Sequence, residues 1–202
     1  MKAKKATVQA GRPRAFDTDK ALDCALQVFW QKGYQGTSLT DLTEAMGINR
    51  PSLYAAFGNK EALFRKALDR YADGPAAYVS EALKETTARA VVERLLSGTV
   101  DLLTDPGTPA GCLTVQGALS CGEGADAIRQ ELNLRRAAGE AALRKRLKRA
   151  KSEGDLPSDS DPADLARYII TIIRGMAVQA AGGASRDELR RVVRMALRAW
   201  PE

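Results

Sequence analysis

The sequence predicts an all-α protein, with an N-terminal three-helix helix-turn-helix domain joined to a larger C-terminal helical domain. Three observations carry this. Apolar residues recur at three- and four-residue spacing along most of the 202-residue chain, and no stretch alternates with the period of two that marks a half-buried strand. Residues 37–60 hold two short helical patterns on either side of one glycine, Gly47. The last two helical patterns carry more apolar surface than one neighbouring helix can cover.

Taken in order, residues 1–16 read as a flexible basic arm. Lys2, Lys4, Lys5, Arg12 and Arg14 all precede the first acid, Asp17, and Pro13 keeps Gly11–Arg14 extended. Such an arm either lies in a DNA minor groove, with Arg12 and Arg14 as its contacts, or is a solvated tail. Asp17 or Thr18 caps the next helix, which runs to about Lys32 and ends at Gly33. Leu22, Ala25, Leu26 and Phe29 form its buried stripe, with Trp30 at the edge. Cys24 lies off that stripe as a small filler.

Thr37 or Ser38 then supplies an N-cap, and Leu39, Leu42 and Met46 give one buried helix face. Gly47 stands where a left-handed C′ glycine belongs. Ile48 drops into the core, and Asn49 caps a second helix opening Arg50-Pro51-Ser52. Proline suits a first turn because its missing N–H would have no intrahelical partner there. Leu53 and Phe57 face inward. Arg50, Ser52 and Tyr54 point elsewhere, and a polar outer face on the second helix of such a pair is what enters a DNA major groove. A plain helical hairpin is the alternative, but it has little need of Arg50, Ser52 and Lys60.

Asn59 caps a fourth helix with Leu63, Phe64, Ala67, Leu68 and Tyr71 on its apolar face, interrupted at Gly74-Pro75. The domain boundary falls inside it, giving 17–65 as the DNA-binding domain and 66–202 as the second domain. Further helices are expected over Ala90–Leu103, a short piece around Leu113–Leu119, Ala125 to about Ser152, a helix containing Leu165–Ala181, and Asp187–Trp200. In the third of these, Arg144, Lys145, Arg146, Lys148, Arg149 and Lys151 read as a solvated face rather than a second nucleic-acid surface, because no aromatics interleave them. In the fourth, Leu165, Ile169, Ile172 and Met176 form one stripe, and Ile170, Ile173 and Ala177 a second. The final helix offers Leu189, Val193 and Leu197. A second copy of the chain is the economical cover for this surplus, with small Gly175 permitting close approach.

Composition excludes several classes of function. There is no histidine, which removes Ser-His-Asp and Cys-His catalysis and histidine metal sites. The three cysteines, Cys24, Cys112 and Cys121, form no C-x-x-C pair, so no metal, cofactor or disulfide scaffold is expected. Cys112 and Cys121 would face opposite sides of one continuous helix, which disfavours a direct disulfide; whether either senses redox state stays open. No apolar run reaches the roughly 18 residues of a membrane span, and the N-terminus lacks an apolar signal segment, so a cytoplasmic protein without a membrane partner is expected. The net charge of +6 suits a polyanionic partner.

The run Gly33-Tyr34-Gln35-Gly36-Thr37-Ser38, then Leu42, Met46-Gly47-Ile48, Ser52-Leu53-Tyr54 and Phe57-Gly58-Asn59-Lys60-Glu61-Ala62-Leu63, resembles the N-terminal domain of TetR-type transcriptional regulators. The likeness covers roughly residues 15–65. Ala55 and Ala56 depart from it, since the family often carries aromatic residues or histidine there.

The residues and the resemblance together imply a homodimeric regulator, a repressor, that binds a palindromic double-stranded operator and is released by an unknown small molecule. Arg50 suits a guanine edge, which accepts two hydrogen bonds from one guanidinium. Pro51 and Ser52 would touch thymine methyls or a phosphate. The resemblance implies that Thr37, Ser38, Tyr54 and Lys60 hold the phosphate backbone. It also implies an effector pocket in the C-terminal helices, for which Tyr71, Tyr78, Leu103, Leu113, Gln116 and Met176 are chosen on position and polarity, and dimerisation through the last two helices. The rival readings are an adaptor that reuses the helix-turn-helix fold without binding an operator, and an enzyme using Cys112 or Cys121, for which no conventional base is present.

Overall fold

The computed structural model describes residues 16–119 and 125–201, and among these it contains ten helices and no strand. The arm, with Arg12 and Arg14, and Cys121 lie outside the described residues. Helices α1 (Thr18–Gly36), α2 (Leu39–Met46), α3 (Arg50–Phe57) and α4 (Lys60–Asp73) build the N-terminal unit. Each starts on a side-chain cap. Asp17 accepts from the amides of Asp19 and Lys20, Asn49 from Ser52, and Asn59 from Ala62. Ser38 and Asp41 cap each other's backbone in a reciprocal capping box. Gly47 ends α2 in the left-handed region at φ 64°, which lets the chain turn directly into α3. The first helix breaks at Gly33 (φ 69°), and one further turn leads to Thr37.

The remaining helices are α5 (Tyr78–Ala82), α6 (Ala88–Leu103), α7 (Leu113–Leu119), α8 (Asp126–Ser152), α9 (Pro162–Ala181) and α10 (Arg186–Arg198). Their core gathers Val91, Val92, Leu95 and Leu96 of α6 with Leu143 and Leu147 of α8, Ile169 and Met176 of α9, and Leu189 of α10. A second core fills the N-terminal unit around Phe29, Trp30, Leu42, Leu53, Leu63 and Phe64. It also takes in Leu102, Leu113, Ile128 and Leu132, so the later helices help to close it.

Two side chains are buried where the sequence predicts more exposure. Trp30 is not at the edge of its helix: it is 1% exposed, because the α6–α7 loop folds back over α1 and its indole N–H donates to the Gly111 carbonyl at 2.9 Å. Arg146 does not belong to a solvated basic face. It is 6% exposed, and one guanidinium nitrogen donates to the Glu85 and Thr86 carbonyls at 2.8 and 2.9 Å.

Close approach of α5 to α6 depends on Gly98. A Cβ there would stand 2.8 Å from Tyr78 Cγ, and the Tyr78 hydroxyl shares a 2.9 Å hydrogen bond with Thr99. Gly98→Ala should therefore displace the ring and cost about 1–3 kcal/mol, read as a lower midpoint in urea unfolding. An unchanged midpoint would mean that α5 shifts freely.

The surplus apolar surface of the last two helices sorts into two groups. Ile169, Met176 and Leu189 are 0%, 2% and 1% exposed within one protomer, so they are protomer core and not interface residues. Ile169 and Met176 lie on the side of α9 that packs against α6 and α8, and Leu189 lies where α10 packs against α6. Leu165, Ile172, Ile173, Val193 and Leu197 are half-buried, and Gly175 is exposed with open space where a side chain would stand. Outward of these lie Tyr168 and Val178 on α9 and Val192 and Met195 on α10, the last 70% exposed. With Gly175 they make a stripe at helical spacing that stays exposed among the described residues.

Candidate nucleic-acid interface

The recognition helix, α3, is anchored from below. Leu53 and Phe57 are 0% and 5% exposed, which holds its inner face on the core. Arg50, Pro51, Tyr54 and Ala55 are exposed, and Ser52 is half-buried with its amide bound to Asn49. Arg50 sits at the first position of α3, and its Nη2 donates to the Thr40 hydroxyl of α2 at 3.1 Å. The apolar inner face and polar outer face divide as the sequence spacing predicts.

The residues proposed to hold phosphate fare unequally. Thr37 is 1% exposed, and its hydroxyl donates to the Gly33 carbonyl at 2.6 Å. The kink at Gly33 frees that carbonyl, Thr37 satisfies it, and the side chain is removed from the phosphate-binding set. Ser38 is exposed, but its hydroxyl proton goes to Asp41 at 2.7 Å while its oxygen accepts the Asp41 amide. Asp41 is held strongly ionised, first by Lys32 Nζ at 2.5 Å and then by the Ser38 amide and hydroxyl, well below the usual carboxylate range. Lys60 Nζ lies 4.4 Å from the centre of the Tyr34 ring. Burial against that ring lowers its pKa, while the charge of Asp41 raises it. Tyr54, 49% exposed, remains free to reach a backbone.

The reading unit meets the rest of the molecule at the α6–α7 loop and along α8. Trp30 of α1 and Tyr71 of α4 meet edge to face at 4.8 Å between ring centres. Trp30 binds the Gly111 carbonyl, and the Tyr71 hydroxyl donates to the neighbouring Cys112 Sγ at 3.3 Å. Gly111 has φ 89°, a conformation that favours glycine, and Ala181 of α9 lies 3.3 Å from where its Cβ would stand. Burial raises the Tyr71 phenol well above its ordinary pKa and pushes Tyr78 up to about 12. On the outer side, Asp69 pairs with Arg135 of α8 at 2.7 Å.

The residues chosen for the effector pocket divide as well. Tyr71, Leu103, Leu113 and Met176 are 3%, 4%, 1% and 2% exposed, packed in the two cores rather than lining open space. All four lie on inner helix faces, and those faces are filled by neighbouring helices. Gln116 uses its amide to close the loop at the Ala110 carbonyl, 3.0 Å away. Tyr78 alone borders an open cleft, of about 570 Å³, between α5, α6 and the start of α10, flanked by Asp101, Asp105 and Arg186. Sequence reasoning missed Thr40 and the Trp30–Gly111 contact. Only the identity of Thr40 as an outward hydroxyl on α2 could have suggested the first.

Two family models match in tandem: Bacterial regulatory proteins, tetR family, over residues 21–67, and Tetracyclin repressor-like, C-terminal domain, over 88–196. The chain belongs to the TetR family. It is 39% identical over 194 residues to the HTH-type transcriptional repressor ComR of Escherichia coli (strain K12), covering 95% of this chain and 92% of that protein. It is 34% identical over 161 residues to the uncharacterized HTH-type transcriptional regulator YezE of Bacillus subtilis (strain 168), covering 79% and 83%. Among solved structures it matches a cysteine mutant of the TetR family transcriptional regulator CifR complexed with a 26 bp double-strand operator DNA. That match has 45% identity and TM-score 0.90, and covers 95% of this chain and all of the other. The chain is thus a helix-turn-helix DNA-binding transcriptional regulator, and regulators of this family act as dimers with small-molecule effectors. Transcriptional regulators of this family are not enzymes. Among the described residues no helix is long and apolar enough to cross a membrane, and no cluster of acids and cysteines could hold a metal ion.

Proposed function

We propose that this protein is a cytoplasmic, non-enzymatic, homodimeric repressor that occupies a palindromic operator and leaves it when a small molecule binds. The observation that carries the reading is Arg50, exposed at the N-terminus of an anchored recognition helix, with Pro51, Ser52 and Tyr54 on the same outer face. Arg50 reads a guanine edge, and Tyr54 and Lys60 hold the backbone. Residues 17–65 form the DNA-binding domain and 66–202 the effector and dimerisation domain. The test is selection of duplexes from a randomised library, followed by fluorescence anisotropy titration. A palindromic preferred sequence bound by two protomers supports the reading. A protein that enriches no duplex would return the adaptor reading.

The dimer forms through the uncovered stripe of Tyr168, Gly175 and Val178 on α9 with Val192 and Met195 on α10. Gly175→Trp separates this from a folding defect, because open space surrounds that position in the protomer. The variant should stay folded and run as a monomer in light scattering, since an indole at the crossing point forbids close helix approach. A dimer of unchanged affinity would place the interface elsewhere.

Effector response runs through the Gly111-Cys112 loop. Tyr78, which shares a hydrogen bond with Thr99, borders the open cleft, and Cys112, bound by Tyr71, packs against both cores. A ligand entering there would displace the loop that Trp30 and Tyr71 grip. Two half-sites must lie about 34–36 Å apart, so a small splay of the reading heads suffices to lose one set of contacts.

A further inference from the structure

We propose that Thr40 is a specificity-positioning residue, whose hydroxyl holds the Arg50 guanidinium in the orientation that reads a base edge. The proposal rests on the base-reading role of Arg50. The two residues lie on different helices, and the contact is a 3.1 Å hydrogen bond from Arg50 Nη2 to Thr40 Oγ1. Arginine carries large rotamer entropy, part of which a free side chain would lose on meeting a base. A fixed acceptor makes part of that loss before DNA arrives.

The platform under Thr40 is rigid. Leu42, two residues on, is fully buried, the Ser38–Asp41 capping box fixes the first turn of α2, and Asp41 is tied to Lys32 of α1. Threonine, with two heavy substituents on Cβ, is itself restricted at χ1. A hydroxyl is also the right kind of acceptor. Among the described residues no carboxylate forms a salt bridge with Arg50, so the guanidinium keeps its full charge for DNA. One of its five N–H donors is spent on Thr40, which leaves enough for a two-bond contact to guanine O6 and N7.

The experiment uses full-length protein, a duplex that this protein enriches from a randomised library, and the unselected pool of the same length. Thr40→Val should weaken the enriched duplex by about three- to tenfold per half-site, the scale of one hydrogen bond, while leaving the pool affinity and its salt slope unchanged. Thr40→Ser should restore binding to within about twofold. In an Arg50→Ala background, Thr40→Val should bring no further loss. Thr40→Ala provides a second removal of the hydroxyl, and thermal melts confirm the fold of each variant. Equal weakening on both DNAs would mean that Thr40 holds a phosphate instead. Tighter binding by Thr40→Val would mean that the hydrogen bond sequesters Arg50, and an undiminished loss in the Arg50→Ala background would mean that Thr40 acts alone. Each of these overturns the proposal. An Arg50→Ala variant that binds the enriched duplex as the parent does, or a library that yields no preferred duplex, overturns the base-reading role of Arg50 itself.

Discussion

Arg50→Ala should weaken binding to the preferred duplex by about 1–3 kcal/mol per half-site and have a much smaller effect on random DNA, where its guanine partner is absent. Over two half-sites this is among the largest effects a single substitution can produce in this protein. Lys60→Ala should behave differently. Its ammonium group sits at the start of α4 against the Tyr34 ring, a charge held in place by an aromatic face rather than aimed along the recognition helix. Loss of a phosphate contact should weaken specific and random DNA by similar factors and reduce the salt slope by about one unit per half-site. The pair must be titrated side by side across salt. If Arg50→Ala weakens both DNAs equally and Lys60→Ala discriminates between them, α3 enters the groove in another orientation, with Lys60 rather than Arg50 at the base edges. Ser38 makes a third comparison unattractive, because its substitution would break the capping box of α2 along with any phosphate contact.

Much of the reading head was visible in the sequence, and the reason is locality. Asn49, Asn59 and Gly47 act on groups within three or four residues of themselves, so their roles follow from spacing alone. The burial of Leu42, Leu53 and Phe57 follows from helical period in the same way. Thr37 marks the limit of that logic. Either it or Ser38 could have been the cap, and only the broken turn at Gly33 shows that Thr37 faces inward to an orphaned carbonyl. Contacts across tens of residues left no periodic trace. The indole of Trp30 finds Gly111 at a separation of 81 residues, and Arg146 finds the Glu85 carbonyl at 61. The outward stripe on α9 and α10 was half visible. An apolar surplus could be read from the sequence, but which residues of it the protomer covers depends on where α6 and α8 lie.

Trp30 is the position where loss should be felt in both parts of the molecule. Trp30→Ala removes a fully buried indole from the N-terminal core and strands the Gly111 carbonyl, and should cost about 3–5 kcal/mol of stability. Trp30→Phe is the more informative variant, because it keeps most of the ring and its edge-to-face contact with Tyr71 while deleting the N–H. An unsatisfied buried carbonyl costs about 1–3 kcal/mol, so that range is expected for Trp30→Phe in urea unfolding. The chain has two tryptophans, so this variant also leaves Trp200, buried in the C-terminal core, as the sole indole reporter. Because Leu102, Leu113, Ile128 and Leu132 complete the N-terminal core, the loss should appear at Trp200 as a shift of one cooperative transition. Hydrogen exchange should localise the loosening to residues 110–116 and α1. If Trp200 reports an unchanged midpoint while circular dichroism shows a separate early transition, the two cores fold independently. The Gly111-Cys112 loop would then not be the path by which an effector moves the reading heads.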